Sequence, residues 1–138
     1  MKNNKGFSLV ELIIVIAIMA VLIGVLAPQY LKYVEKSRVS TDETAIASVR
    51  EAMLTSLADE KVYNDLGNSA TITIPAAANA TLSGSSTLLT AVQKIVGSTI
   101  KLASKTYQGG SAITFTATFN TTDMTWQVTP VDTWKKSN

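Results

Sequence analysis

A long apolar run near the N-terminus limits what this chain can fold into. Residues 12 to 27 read LIIVIAIMAVLIGVLA, without one polar side chain. Adding residues 7 to 10 brings the run to about the 20 residues that a transmembrane helix requires. The extension includes one acidic residue, Glu11. An α-helix satisfies its own backbone in lipid, so the pattern predicts a membrane-spanning helix with a carboxylate near its start.

Two lysines, Lys2 and Lys5, precede the run and account for the net charge of +2. The positive-inside rule therefore predicts a cytoplasmic N-terminus and places the chain after Pro28 outside the membrane. A secretory signal peptide shares the basic start and the apolar core, and a plain membrane anchor also explains the run. Glu11 interrupts the start of the core and Pro28 directly follows its end, and both features are unfavourable in a signal peptide. A buried core helix is disfavoured because the run is apolar on every side.

The carboxylate of Glu11 requires a partner. At this depth in a membrane an unpaired carboxylate costs roughly 2.5 kcal/mol or more, and such residues are functional by default. If the chain is cut between Gly6 and Phe7, the new α-ammonium lies one helical turn from Glu11, or reaches the Glu11 of a neighbouring molecule. The alternative is that Glu11 sits at the interface and reaches water.

The N-terminus combines a short basic leader, Gly6, the segment Phe7–Glu11 and Pro28. Together these features resemble the prepilin signal of type IV pilins. The resemblance covers the chain up to Pro28. It implies that a membrane prepilin peptidase cuts after Gly6 and N-methylates Phe7, and that Glu11 pairs with the Phe7 amine of an adjacent subunit. It also implies that assembly machinery lifts subunits from the lipid bilayer of the bacterial cytoplasmic membrane into a helical filament at the cell surface.

Pro28 weakens the helix that it follows. It lacks the N–H that would bond the carbonyl of Gly24, so a kink is expected between Gly24 and Pro28. In pilins a matching segment is reported to lose helical order in the filament, and the resemblance extends this behaviour to Gly24 and Pro28.

The second part of the helix, residues 29 to 61, is predicted to be an amphipathic stalk that packs on a folded head. Its apolar side chains recur at a period near 3.6. The stripe comprises Val39, Ile46, Val49, Met53 and Leu57, and the charged residues Glu43, Arg50 and Glu51 are predicted to lie off it.

The head, residues 62 to 138, is predicted to carry a small antiparallel sheet. Residues 70 to 74 alternate as a strand, and residues 86 to 96 have helical spacing. Residues 113 to 119 and 124 to 128 alternate around a turn and predict a hairpin, and residues 100 to 103 offer a third strand of this meander. We therefore predict an α+β fold in four parts: a cleaved leader (1–6), a transmembrane and filament-core helix (7–28), the stalk and the head.

Composition argues against catalysis. The chain of 138 residues has no cysteine and no histidine, which excludes disulfides, Cys/His metal sites and imidazole bases. We expect no cofactor and no metal. A nucleic-acid binding surface would require more aromatic and basic residues than Trp126, Trp134, Lys135 and Lys136. We expect Trp126 in the core and Trp134 near the chain end. Pilins commonly have a disulfide in the head, and its absence fits the cysteine-poor pilins of Gram-positive bacteria.

The predicted function is a structural subunit of an extracellular type IV pilus. One alternative is a pseudopilin of a type II secretion or competence system, which would share the helix and its processing. Another is a membrane-anchored binding protein that does not polymerise.

Overall fold

The computed structural model describes residues 6–130 and 134–136. Lys2, Lys5 and most of the predicted leader lie outside the described residues. The chain divides into two units, Met1–Val34 and Glu35–Asn138, which we call the N-terminal unit and the C-terminal unit.

The first helix, α1, runs from Leu9 to Leu57 and contributes to both units. From Leu9 to Tyr33 its side chains are exposed. In the C-terminal unit the predicted stripe is buried, with Ile46, Val49 and Met53 fully excluded from solvent. A second short helix, α2 (Glu60–Leu66), follows. The break arises because the Asp59 side chain accepts a hydrogen bond from the Lys61 N–H and so caps a new helix.

The remaining elements follow in the order β1, β2, β3, α3, β4, α4, β5 and β6. Their bounds are β1 Ser69–Ile74, β2 Asn79–Thr81, β3 Ser83–Gly84, α3 Ser86–Val96, β4 Thr99–Lys101, α4 Lys105–Gln108, β5 Ile113–Asn120 and β6 Thr125–Thr129.

Within residues 6–130 and 134–136 the strands form two antiparallel sheets. The larger sheet has the order β3-β1-β5-β6, and the smaller pairs β2 with β4. The predicted hairpin is present, with Phe119 opposite Trp126 and Ala117 opposite Val128. On its other side β5 pairs with β1, where Phe115 lies opposite Ile72. The fold class is confirmed: a long N-terminal helix packs, through its second half, on a small antiparallel sheet.

One core fills the C-terminal unit. The stripe of α1 and the inner faces of β1 and β5 meet in it, and Leu88 and Val92 of α3 are buried with them. Phe115 is fully buried, and its ring packs edge to face against Trp134 with 6.1 Å between centroids. Strand alternation therefore does in β5 what the helical period does in α1: it directs one apolar face inward.

Three predictions about the C-terminal unit are wrong in detail. The strand at Thr99–Lys101 does not join the meander; it pairs with Asn79–Thr81, a segment too short to show an alternating pattern. Trp126 was predicted in the core and is half-buried between Tyr63 and Phe119 at its edge; Trp134, predicted to pack near the chain end, is buried there. Glu43 was predicted to lie off the stripe and is buried.

Candidate processing and assembly site

Ser8 and Glu11 together cap the start of α1. The Ser8 N–H donates to Oε2 of Glu11 at 2.9 Å, and the Val10 N–H donates to Oγ of Ser8 at 3.4 Å. The first intrahelical hydrogen bond runs from the Leu12 N–H to the Ser8 carbonyl at 3.2 Å. This arrangement is a capping box, in which an N-cap hydroxyl and an acidic residue three positions later satisfy backbone donors that the helix leaves unpaired. The spacing S-x-x-E was the sequence signal for it, and the prediction above overlooked it.

Gly6 and Phe7 precede this cap and are not helical. Phe7 is 85% exposed, and a Cβ added to Gly6 would meet nothing within 4 Å in the described structure. The bond between these two residues is therefore outside regular structure. The roles of Gly6 and Phe7 in processing stay predictions.

The N-terminal unit presents a continuous apolar surface. Every large aliphatic side chain from Leu9 to Leu26 is exposed, most by more than half of its area. Soluble monomers rarely expose contiguous apolar patches larger than a few hundred Å². By length and composition α1 is able to cross a membrane, and its most apolar window contains no buried residue. This surface is compatible with membrane anchoring, and its lack of burial argues against a core helix.

Gly24 and Pro28 lie within α1, which remains helical through both. Pro28 has no N–H, so the Gly24 carbonyl lacks its usual partner four residues later. A Cβ at Gly24 would meet nothing within 4 Å. The weak point assigned to this segment stays a prediction.

Three acidic residues of α1 bind the segment that carries α4, and sequence reasoning missed all of them. Asp42 is 1% exposed and accepts hydrogen bonds from the Ala103 N–H, the Ser104 N–H and Oγ of Ser104, at 2.8, 2.8 and 2.5 Å. Oε1 of Glu35 accepts from the first N–H groups of α4, those of Lys105 and Thr106, at 2.7 and 3.2 Å. A carboxylate at the start of a helix satisfies unpaired donors and the positive end of the helix dipole.

Glu43 joins the C-terminal segment to α1. Its Oε1 accepts hydrogen bonds from the Tyr107 hydroxyl at 3.2 Å and from the Lys136 N–H at 2.6 Å. The Tyr107 hydroxyl also lies 3.0 Å from the carbonyl of Trp134. Burial, and then the charge of Glu43, raise the pKa of Tyr107 well above its ordinary value of 10.0.

A sequence signal for these carboxylates existed. Glu35, Asp42 and Glu43 are spaced seven and eight residues apart, which places them on the same helix face as Val39 and Ile46. Acidic residues inside an apolar stripe require buried donors, because an unpaired buried charge is expensive. Within the described ranges, no three Asp or Glu side chains come together in a way that could hold a metal ion.

Comparison with known proteins matches the N-terminal part of the chain. Residues 1–27 match the family model described as the prokaryotic N-terminal methylation motif. The chain is 40% identical over 62 residues to the type IV major fimbrial protein FimA of Dichelobacter nodosus, a match covering 45% of this chain and 40% of FimA.

Two further relatives match a similar share of the chain. The type IV major pilin protein PilA of Myxococcus xanthus is 31% identical over 66 residues, 48% of this chain and 30% of PilA. A fimbrial protein of Pseudomonas aeruginosa is 33% identical over 61 residues, 44% of this chain and 40% of that protein. The chain thus matches less than half the length of these relatives, and no solved structure matches it.

Proposed function

We propose that the protein is a structural subunit of a type IV pilus, because residues 1–27 match the prokaryotic N-terminal methylation motif and the N-terminal part of the chain is similar to type IV major pilins. It is inserted in the membrane as a precursor, cleaved after Gly6, N-methylated at Phe7 and assembled by packing of its N-terminal helix. The observation that carries the proposal is the continuous exposed apolar surface of the N-terminal unit, which begins directly after the non-helical residues 6 to 8.

The apolar surface is suited to the bilayer before assembly and to the filament core after assembly. Residues 9 to 27 measure about 28 Å at 1.5 Å per residue, close to the thickness of about 30 Å of a bilayer's hydrocarbon core. A filament of identical chains would bury the same surface against neighbouring helices. Moving apolar side chains from lipid to an equally apolar helix bundle changes their environment little, so polar groups decide how the helices pair.

Processing creates a positive charge that can pair with the carboxylate of Glu11. Water adds across the amide between Gly6 and Phe7, which leaves a carboxylate on Gly6 and an amine on Phe7. An electrophilic donor then transfers a methyl group to that amine, which is basic and takes up a proton. The resulting ammonium pairs with Glu11 of an adjacent subunit and stabilises the carboxylate in an apolar surrounding. Gly24–Pro28 is the segment where α1 adapts to the packing of the filament.

The substitution Glu11→Gln tests the pairing role. Gln keeps the size of the side chain and one carbonyl oxygen but removes the charge. We expect surface filaments, labelled with an antibody to the head and counted by electron microscopy, to fall at least tenfold while cleaved protein accumulates in the membrane. The matched control is Glu51→Gln, since Glu51 is an exposed residue of the same helix that pairs with Arg50 at 3.1 Å.

Filament counts that stay unchanged in Glu11→Gln would contradict the pairing role. The wild-type image also separates the proposed function from its alternatives. Long labelled fibres support the pilus subunit, short assemblies confined to the envelope support a pseudopilin, and diffuse membrane label supports an anchored binding protein. Intact mass spectrometry of Gly6→Ala checks the processing step, and we expect residues 1 to 6 to be retained.

A further inference from the structure

We propose that Tyr30, Lys32 and Tyr33 form a girdle around α1 at the level of the lipid headgroups, where Lys32 binds the phosphate of an anionic phospholipid. All three residues belong to the N-terminal unit. The inference rests on the proposed function, because it concerns the membrane-inserted subunit before assembly. It adds to that function a lipid class as a partner and the residues that bind it.

The girdle directly follows the apolar surface and faces all directions around the helix. Tyr30 and Tyr33 are 68% and 70% exposed, and Lys32 is exposed as well. Successive residues of an α-helix are turned by about 100° around its axis, so residues 30 to 33 cover one full turn. Leu31, also exposed, fills the remaining direction. A single helix surrounded by lipid meets headgroups on all its sides, and a complete turn of such side chains can contact them.

The position of the girdle along α1 matches the thickness of a bilayer. A hydrocarbon core of about 30 Å spans about 20 residues of α-helix at 1.5 Å per residue. A core that begins between Leu9 and Leu12 therefore ends at about residues 29 to 32. The helix is continuous over this range, so its rise sets the distance. The girdle lies at the headgroups when the apolar surface fills the hydrocarbon core.

The side chains of the girdle are suited to a headgroup layer. Tyrosine combines an apolar ring with a polar hydroxyl and is enriched at membrane–water interfaces. Lysine keeps its aliphatic stem along apolar surface and extends its ammonium to the polar layer. In the part of the chain that the structure describes, the hydroxyls of Tyr30 and Tyr33 have no hydrogen-bond partner and Lys32 has no ion pair. Their polar atoms are therefore available to lipid.

Charge complementarity favours an anionic lipid as the partner. Lys32 is the only charged residue between Glu11 and Glu35, and Glu35 accepts hydrogen bonds from the backbone N–H groups of Lys105 and Thr106. The phosphate of an anionic lipid supplies a counter-charge for Lys32, whereas the phosphate of a zwitterionic lipid is already paired with the lipid's own cation. A second copy of the chain at the same depth would bring another Lys32 and repel the first.

Lipid preference tests the role of Lys32. The full-length chain in detergent is incubated with equal amounts of phosphatidylglycerol and phosphatidylcholine, and native mass spectrometry gives the ratio of the two bound lipids. Lys32→Gln keeps most of the side-chain length but removes the charge, and we expect it to lower this ratio about fivefold. The matched control is Lys94→Gln, since Lys94 is an exposed lysine of α3, and it should leave the ratio unchanged.

Depth in the bilayer tests the role of the tyrosine rings. The labelled chain is placed in nanodiscs whose lipids have a spin label on the headgroup, and the attenuation of each backbone amide signal is measured by NMR. We expect a maximum of attenuation at residues 30 to 33. The double variant Tyr30→Ala and Tyr33→Ala should lose this maximum, whereas Tyr30→Phe with Tyr33→Phe keeps both rings and should retain it.

Either measurement is able to overturn the inference. An unchanged lipid ratio in Lys32→Gln contradicts the assigned lipid class, and a maximum of attenuation elsewhere on α1 contradicts the position of the girdle. Protection of residues 30 to 33 by a second copy of the chain in the nanodisc would assign this turn to contacts between subunits instead. Neither measurement requires filaments. A chain that forms no filaments contradicts the proposed function, whereas a chain that forms them without a lipid preference contradicts only the girdle.

Discussion

Removing the carboxylate of Asp42 should destabilise the C-terminal unit more than removal of an exposed acid on the same helix. In Asp42→Ala the N–H groups of Ala103 and Ser104 lose their acceptor, and both lie in a buried or half-buried setting. Each buried donor left without a partner costs about 1–3 kcal/mol. Two such donors give an expected loss of about 2–6 kcal/mol, a large share of the 5–15 kcal/mol typical of a domain.

Urea unfolding of the full-length chain in a non-ionic detergent measures this loss. The two tryptophans of the chain, Trp126 and Trp134, both belong to the C-terminal unit, so their fluorescence reports unfolding there. The control is Glu51→Ala, which removes one exposed ion pair and should change the free energy of unfolding by less than about 1 kcal/mol. Asp42→Asn should fall between the two variants, because its amide oxygen still accepts.

One result would refute the reasoning. It is a pair of free energies of unfolding, for Asp42→Ala and Glu51→Ala, that differ by less than about 0.5 kcal/mol, roughly the error of such a comparison. In that case the hydrogen bonds from residues 103 and 104 to Asp42 contribute nothing beyond what solvation would supply. Asp42 would then be a tolerated buried acid and not a structural link between α1 and α4.

Three further predictions concern the same unit. Because the pKa of Tyr107 is raised in the folded state, its contribution to the free energy of unfolding is fully present below pH 10 and is lost as pH rises further, by about 1.4 kcal/mol per pH unit. Urea titrations above pH 10 should show this fall in the free energy of unfolding, and Tyr107→Phe should remove it. Glu35→Ala removes the acceptor for the first N–H groups of α4 and should cost about 1 kcal/mol, with faster hydrogen exchange at Lys105 as the second readout. A Cβ at Gly84, whose φ is 153°, would lie 2.1 Å from the carbonyl oxygen of Thr71; Gly84→Ala should therefore separate β3 from β1 and lower the melting temperature, and an unchanged value would contradict this contact.

Regular patterns made much of the fold predictable from sequence. The stripe of α1, the helical spacing of residues 86 to 96 and the alternation in β5 each repeat over enough residues to distinguish a period of 3.6 from a period of 2. Each of these elements has one apolar face, and the core of the C-terminal unit lies where those faces meet.

The smaller sheet was not predictable in the same way. Its strands β2 and β4 have three residues each, and only the middle residue of each, Ala80 and Ile100, is buried. Three residues do not define an alternation, so the pairing of β4 depends on contacts far apart in the chain. The acidic residues Asp42 and Glu43 were missed for a different reason: a charge normally marks the solvent side of a helix, and here it marks the side that meets buried donors.

The carboxylates in the two parts of α1 obtain their hydrogen-bond donors in different ways. In the C-terminal unit Glu35, Asp42 and Glu43 find donors in segments 60 or more residues away in the chain, and the fold of a single molecule satisfies them. Among the described residues, Glu11 has a hydrogen bond to a backbone N–H three residues earlier, surrounded by exposed apolar side chains. A local cap satisfies its hydrogen bonding but brings no opposite charge. The charge of Glu11 is therefore not matched by this cap, and under the proposed function the Phe7 ammonium of an adjacent subunit would match it.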